Sequence, residues 1–145
     1  MDRQATTDDD VKAIKKVGEE YFEATNVGDP DRCIATMAPD VIIMPPGRPS
    51  IVGKEQLRRL SHDYHTTFEL NYHLVYDEVE ATGDLGFART TVTGTRTSRS
   101  DGSVEKLVWR NLWIVKRQDD GKWKFWRIIF NSPVSSQTNK VETVS

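Results

Sequence analysis

The sequence predicts an α+β domain, with three helices in the N-terminal half followed by one antiparallel sheet. Three observations carry this. Apolar residues in the first half recur at helical spacing, three or four apart. From Thr67 onward the chain turns to long runs rich in β-branched and aromatic residues. Those runs are broken only by Thr82-Gly83-Asp84, Asp101-Gly102 and Asp120-Gly121, tight-turn signals that force neighbouring strands to be antiparallel.

The elements follow in order. Thr7 or Asp8 caps the first helix, Asp9 and Asp10 suit its positive end, and Val11, Ile14, Val17, Tyr21 and Phe22 share one face. Gly28 stops it. Asp29-Pro30 opens a short second helix running to about Met37, with Ile34 and Met37 inward. The strand in "DVIIMPPGRPSIVG" must end near Met44, because the prolines that follow cannot donate to a ladder. "KEQLRRLSHDYH" gives a third helix with Leu57, Leu60 and Tyr64 on one face. Strands are expected over residues 67–81, 85–99, 104–118 and 122–132. The domain spans residues 1–133, and the polar tail 134–145 is expected to be loose.

Composition limits the function classes. A chain of 145 residues with 37% hydrophobic and 29% charged residues is an ordinary globular domain. Its net charge of -2 offers no footprint for nucleic acid. One cysteine, Cys33, allows no internal disulfide and suits a reducing compartment. There is no apolar run of membrane-spanning length, and the start "MDRQATTDDD" is too polar for a secretion signal. A cytoplasmic protein is expected, without membrane or nucleic-acid partners.

Alternation sorts the strand residues into faces. Leu107, Trp109, Asn111, Trp113 and Val115 share one side, opposite Val108, Arg110, Leu112 and Ile114. In the last strand Trp126, Ile128 and Phe130 are read as opposing Trp123, Phe125 and Ile129. Both faces are therefore apolar, although helices can cover only one. The expectation is a homodimer through the outer sheet face.

"YFEATNVGDPDRCIATMAPDVIIMPPGRPSIVGKEQLRRL" and "LWIVKRQDDGKWKFWRIIFNSP" together resemble the SnoaL-like, ketosteroid-isomerase-like branch of the nuclear transport factor 2-like superfamily. The likeness covers residues 11–133 and rests on Asn26-x-Gly28-Asp29, the Asp40 strand start, the Pro45 to Gly53 loop, and the "D-G-K-W" and "N-S-P" segments. It implies a cystatin-like cone, ordered α-α-β-α-β-β-β-β, whose curved mixed or antiparallel sheet wraps the helices around an apolar pocket. It also implies a hydrophobic small-molecule ligand and acid–base chemistry of isomerase, cyclase or lyase type without a cofactor. The superfold equally hosts non-catalytic binding and dimerisation modules.

Several residues are candidates for that chemistry. Tyr21 stands where the isomerases place an oxyanion donor, and is otherwise a helix-face aromatic packed on the sheet. The isomerases' carboxylate base is missing, since its place reads Ile43-Met44-Pro45. Their second acid aligns near Trp113, and Ile128 stands where many relatives carry aspartate. In "GFARTTVTGTRT" the family alignment sends Arg89, Thr91, Thr93 and Thr95 into the pocket, away from Phe87. Arg89 then holds an anionic ligand oxygen, or pairs internally with Glu105 or Glu69. Asn111 either donates to a ligand carbonyl or bonds to its strand neighbours. Met44, Trp109, Trp113, Trp126, Ile128 and Phe130 complete the expected apolar walls. His65, at a helix end, is a proton-transfer candidate; Glu105 and Asp40 are further candidates for the base. His62, His65 and His73 lack the companions of a metal site.

Overall fold

A computed structural model describes residues 7–133; the tail at 134–145 lies outside the described residues. Helix α1, Asp8–Val27, begins where Thr7 accepts a hydrogen bond from the Asp10 amide at 3.0 Å. It ends at Gly28, whose φ of 78° is the left-handed turn that glycine adopts without steric cost. Asp29 caps α2, Pro30–Ala35, by accepting from the Arg32 amide. Strand β1, Met37–Met44, then turns through the proline loop into β2, Ile51–Val52, and α3, Lys54–Thr67. Four long strands follow: β3 (Phe68–Thr82), β4 (Leu85–Ser98), β5 (Val104–Arg117) and β6 (Trp123–Asn131).

The strands form one curved sheet in the order β2-β1-β6-β5-β4-β3, and the helices pack against it. The meander β3 to β6 is antiparallel, as the turn residues require. Three features differ from the sequence expectation. Met37 belongs to β1 rather than to the second helix, because α2 closes after one and a half turns at Thr36. Two residues past the proline loop make the extra strand β2. β1 also pairs in parallel with β6, Ile43 opposite Ile128, which no local signal encodes.

The core sits between α1 and the sheet. Ile14, Met37, Val41, Val92, Val115 and Phe125 are buried almost completely. Trp113 is its hub, with ring centroids at 4.9 Å from Phe125, 5.9 Å from Tyr76 and 6.1 Å from Phe22. Helix α3 is different: none of its fourteen residues is fully buried. It is held at its rim by polar contacts, with Arg58 and His62 both on Asp31. Its Leu57, Leu60 and Tyr64 line the cavity, with Leu57 also packed against the core and Tyr64 against Phe68.

β6 carries a bulge. Ile114 pairs with Arg127 and Val115 with Phe125, so Trp126 is the extra residue. Alternation restarts after it, which brings Trp123, Phe125, Ile128 and Phe130 all to the helix side or the cavity. Trp126 instead lies outside, between the cations of Arg127 and Lys116, at 3.9 and 4.8 Å from the ring centroid. The expected grouping of Trp126 with Ile128 and Phe130 is therefore corrected. On the outer face Arg89, Leu112, Ile129 and Met44 line up in register across four strands. Three of them, Leu112, Ile129 and Met44, are exposed apolar side chains, joined by Val75 on β3.

Candidate functional site

Between α1, α3, the proline loop and the sheet lies a cavity of about 600 Å³, the size of a small-molecule site. Aromatic side chains dominate its wall: Phe22 and Tyr21 from α1, Tyr64 from α3, Phe68 and Tyr72 from β3, Trp109 and Trp113 from β5, Phe125 and Phe130 from β6. Ile43 and Ile128 face each other at the β1–β6 pairing and add aliphatic wall.

One end of the cavity is polar. Tyr64 and Tyr72 share a hydrogen bond of 2.9 Å between their hydroxyls, and the Arg96 guanidinium donates to the Tyr64 oxygen at 3.3 Å. Arg96 is in turn held by Glu105, its cross-strand partner, with Nε donating at 2.9 Å. The same guanidinium lies 4.6 Å from the Phe68 ring centroid. Asn26 fixes this end from outside: its side chain donates to the Tyr72 carbonyl and accepts from the Tyr72 amide, both at 2.8 Å. The "N-x-G-D" asparagine thus anchors the strand that carries a cavity phenol. Burial, then the neighbouring Tyr64, pushes the Tyr72 phenol above its ordinary pKa. Burial, then Cys33 and Tyr64, does the same for Tyr21. Both phenols stay protonated and are available as donors.

His65 stands beside Tyr64, ring centroids 6.2 Å apart. Its Nδ1 lies 2.8 Å from the Ser61 carbonyl. A carbonyl only accepts, so Nδ1 carries the proton and Nε2 is a free acceptor. That Nε2 is buried and has no hydrogen-bond partner. Asn111, only 9% exposed, leaves its Nδ2 donor equally unpartnered. Thr90, its cross-strand neighbour, leaves Oγ1 unpartnered too. Buried polar atoms without partners cost about 1–3 kcal/mol each, which a ligand in the cavity can offset for His65 and Asn111, the two that line it.

The structure sorts the sequence candidates. Tyr21, His65, Asn111, Trp109, Trp113, Ile128 and Phe130 line the cavity. Four do not. Alternation runs unbroken along β4, so Phe87, Arg89 and Thr91 share the outer face. There Arg89 pairs with Glu78 at 3.1 Å and Thr91 donates to Asp77. Met44 points outward while its neighbour Ile43 points in. Trp126 is displaced by the bulge and donates to Asp40 at 3.1 Å. That bond, more than any nearby charge, holds the Asp40 carboxyl below its ordinary pKa, on the outside of the sheet. Glu105, another candidate base, is engaged by Arg96.

Arg96, Tyr64 and Tyr72 were the residues the sequence left unassigned. The available signal was parity: Arg96 shares its face with Gly86, Ala88 and Gly94, the small residues that let α1 and the neighbouring backbone approach. Arg89→Ala is expected to change stability by less than about 1 kcal/mol and to leave ligand binding intact, since its partner is at the surface. Chemical denaturation and a binding titration check this.

Among the described residues no helix is long and apolar enough to cross a membrane. No group of three or more His, Cys, Asp or Glu among them is placed to hold a metal.

Comparisons agree with this geometry. A ketosteroid isomerase-like protein from Erwinia carotovora atroseptica SCRI1043 superposes with a TM-score of 0.81 at 25% identity, covering 89% of this chain and 100% of that one. A conserved protein from Planctomyces limnophilus DSM 3776 gives 0.80 at 24% identity, with 87% and 99% covered. A nuclear transport factor 2-like superfamily protein from Salmonella enterica serovar Typhimurium gives 0.73 at 16%, with 86% and 92% covered. No curated protein shows significant similarity to the chain. The family model for the SnoaL-like domain matches residues 19–126, from the helix that carries Tyr21 to the bulge in β6, and the chain belongs to that SnoaL-like domain family.

Proposed function

We propose that the cavity binds a hydrophobic, oxygenated small molecule of polyketide, terpenoid or steroid type and moves a proton on it, as a cofactor-independent isomerase, cyclase or lyase. The observation that carries this reading is His65, whose Ser61 bond fixes the tautomer and leaves Nε2 as a buried base without a partner. The hydrogen-bonded Tyr64 and Tyr72 lie at the same end of the cavity. In this reading His65 removes a proton adjacent to a carbonyl. The oxygen on which negative charge develops accepts a hydrogen bond from the one phenol hydrogen that the Tyr64–Tyr72 bond leaves free, in a pair that Arg96 polarises. Asn111 anchors a second ligand oxygen through Nδ2, and Tyr21 serves as a further donor. Such oriented donors act strongly because aromatic walls exclude water from the site.

The test uses 2-tetralone, a neutral aromatic ketone with exchangeable protons next to its carbonyl. The wild-type protein is expected to accelerate their exchange with deuterated water, followed by NMR. Binding without any acceleration would favour the alternative, a non-catalytic ligand-binding or dimerisation module. The absence of a lining carboxylate other than the exposed Asp63 speaks for that alternative.

The same reading places a second copy of the chain on the outer sheet face. Exposed Leu112, Ile129, Met44 and Val75 support it, because an antiparallel sheet facing water should be polar there. Sedimentation at micromolar concentration is expected to give a dimer, and a monomer would remove this part of the proposal.

A further inference from the structure

The charges around the cavity cancel. Among the described residues Arg96 is the one cation of the interior wall, and Glu105 neutralises it from the neighbouring strand. The other two charged lining residues, Arg48 and Asp63, are exposed and opposite in sign. Together with the Arg96–Glu105 pair these charges sum to zero. The phenols add none, since burial keeps Tyr21 and Tyr72 protonated. What the wall leaves unsatisfied is also uncharged: an amide donor on Asn111 and an imidazole acceptor on His65.

We infer that Glu105 is a specificity-determining residue that restricts the cavity to neutral ligands, hydroxy ketones or comparable carbonyl compounds, and turns carboxylates away. This rests on the proposed small-molecule reading of the cavity and narrows it. The physical reason is the cost of desolvation. A carboxylate entering an apolar cavity gives up its hydration, and only a net positive charge repays that loss. Arg96 has that charge, but Glu105 neutralises it, and three of its five N–H groups are engaged by Glu105 and the Tyr64 hydroxyl. A neutral carbonyl gives up far less water and needs only the hydrogen bonds that Asn111 and the phenols offer. Charge then appears on the ligand only as a proton leaves it, when the donors are already in place.

Two probes of nearly the same shape separate the cases: 2-acetylnaphthalene, which is neutral, and 2-naphthoate, which is ionised at neutral pH. Quenching of Trp109 and Trp113 fluorescence in the wild-type protein is expected to report the ketone, with the carboxylate more than about tenfold weaker. Glu105→Gln keeps the shape and an acceptor for Arg96 while removing the countercharge. It should strengthen 2-naphthoate binding more than about tenfold relative to the ketone. Glu105→Asp, which keeps the charge, should retain the wild-type preference. Adding Arg96→Met to Glu105→Gln should abolish the gain. Equal or tighter binding of 2-naphthoate by the wild-type protein would overturn the inference and leave the cavity reading standing. Failure of both probes to bind would overturn the cavity reading and this inference with it. The wild-type comparison decides even where Glu105→Gln does not fold, and a folded Glu105→Gln with no gain removes the role given to Glu105.

Discussion

Gly18→Ala is expected to destabilise the protein by about 2 kcal/mol, although alanine is the better helix former. Gly18 lies in the middle of α1, where the exchange would ordinarily favour the alanine variant by about 1 kcal/mol. Here a methyl group at that Cα would fall 2.1 Å from the Tyr76 hydroxyl and 2.8 Å from Cζ3 of Trp113. Neither neighbour can move freely. Tyr76 donates to the Lys15 carbonyl at 2.6 Å, and moving it gives up a bond worth about 1 kcal/mol. Trp113 is wedged among Phe22, Tyr76 and Phe125, so its shift propagates into the core. Overpacking of this kind costs about 1–3 kcal/mol, which together with the lost bond outweighs the gain in propensity. Urea denaturation measures the difference. Adding Tyr76→Phe to the alanine variant takes away the nearest atom and should recover part of the loss; strict additivity of the two changes would show that they do not touch.

His65→Gln is expected to lower the protein-catalysed exchange of 2-tetralone by about 10²–10⁴-fold while the ketone still binds. The Ser61 carbonyl receives the Nδ1 proton, so the neutral ring presents its lone pair at Nε2. A glutamine amide has no comparable basic nitrogen and offers only a weakly basic oxygen. Loss of binding together with exchange would assign His65 to holding the ligand. Full exchange in the variant would remove it as the base. NMR for exchange and tryptophan fluorescence for binding read the two quantities separately.

What was legible in the sequence follows from how far each signal reaches along the chain. Helix caps at Thr7, Gly28 and Asp29-Pro30 act over a few residues and were readable. So were the strand turns, because glycine and aspartate announce them locally. The parallel pairing of β1 with β6 joins residues over eighty positions apart and left no mark in either strand. The bulge at Trp126 was hidden for a different reason: one extra residue reverses the parity of everything after it, and nothing in "WKFWRIIF" says where the count slips. Arg89 and Arg96 look alike in sequence, and only the small residues on the face of Arg96 distinguish the side that faces the helices. Tyr64 was assigned to the correct helix face, but its bonds to Tyr72 and Arg96 exist only once α3, β3 and β4 are together.

The incomplete burial of α3 links occupancy to folding. Leu57, Leu60 and Tyr64 keep part of their surface turned to the cavity, so a guest molecule adds contacts to this helix. Any compound that fits should therefore tighten this helix before the rest of the fold, and raise the melting temperature in proportion to the logarithm of its concentration above Kd. A thermal-shift screen of neutral aromatic ketones thus becomes a way to search for the natural ligand, with slowed amide exchange in α3 marking a true occupant.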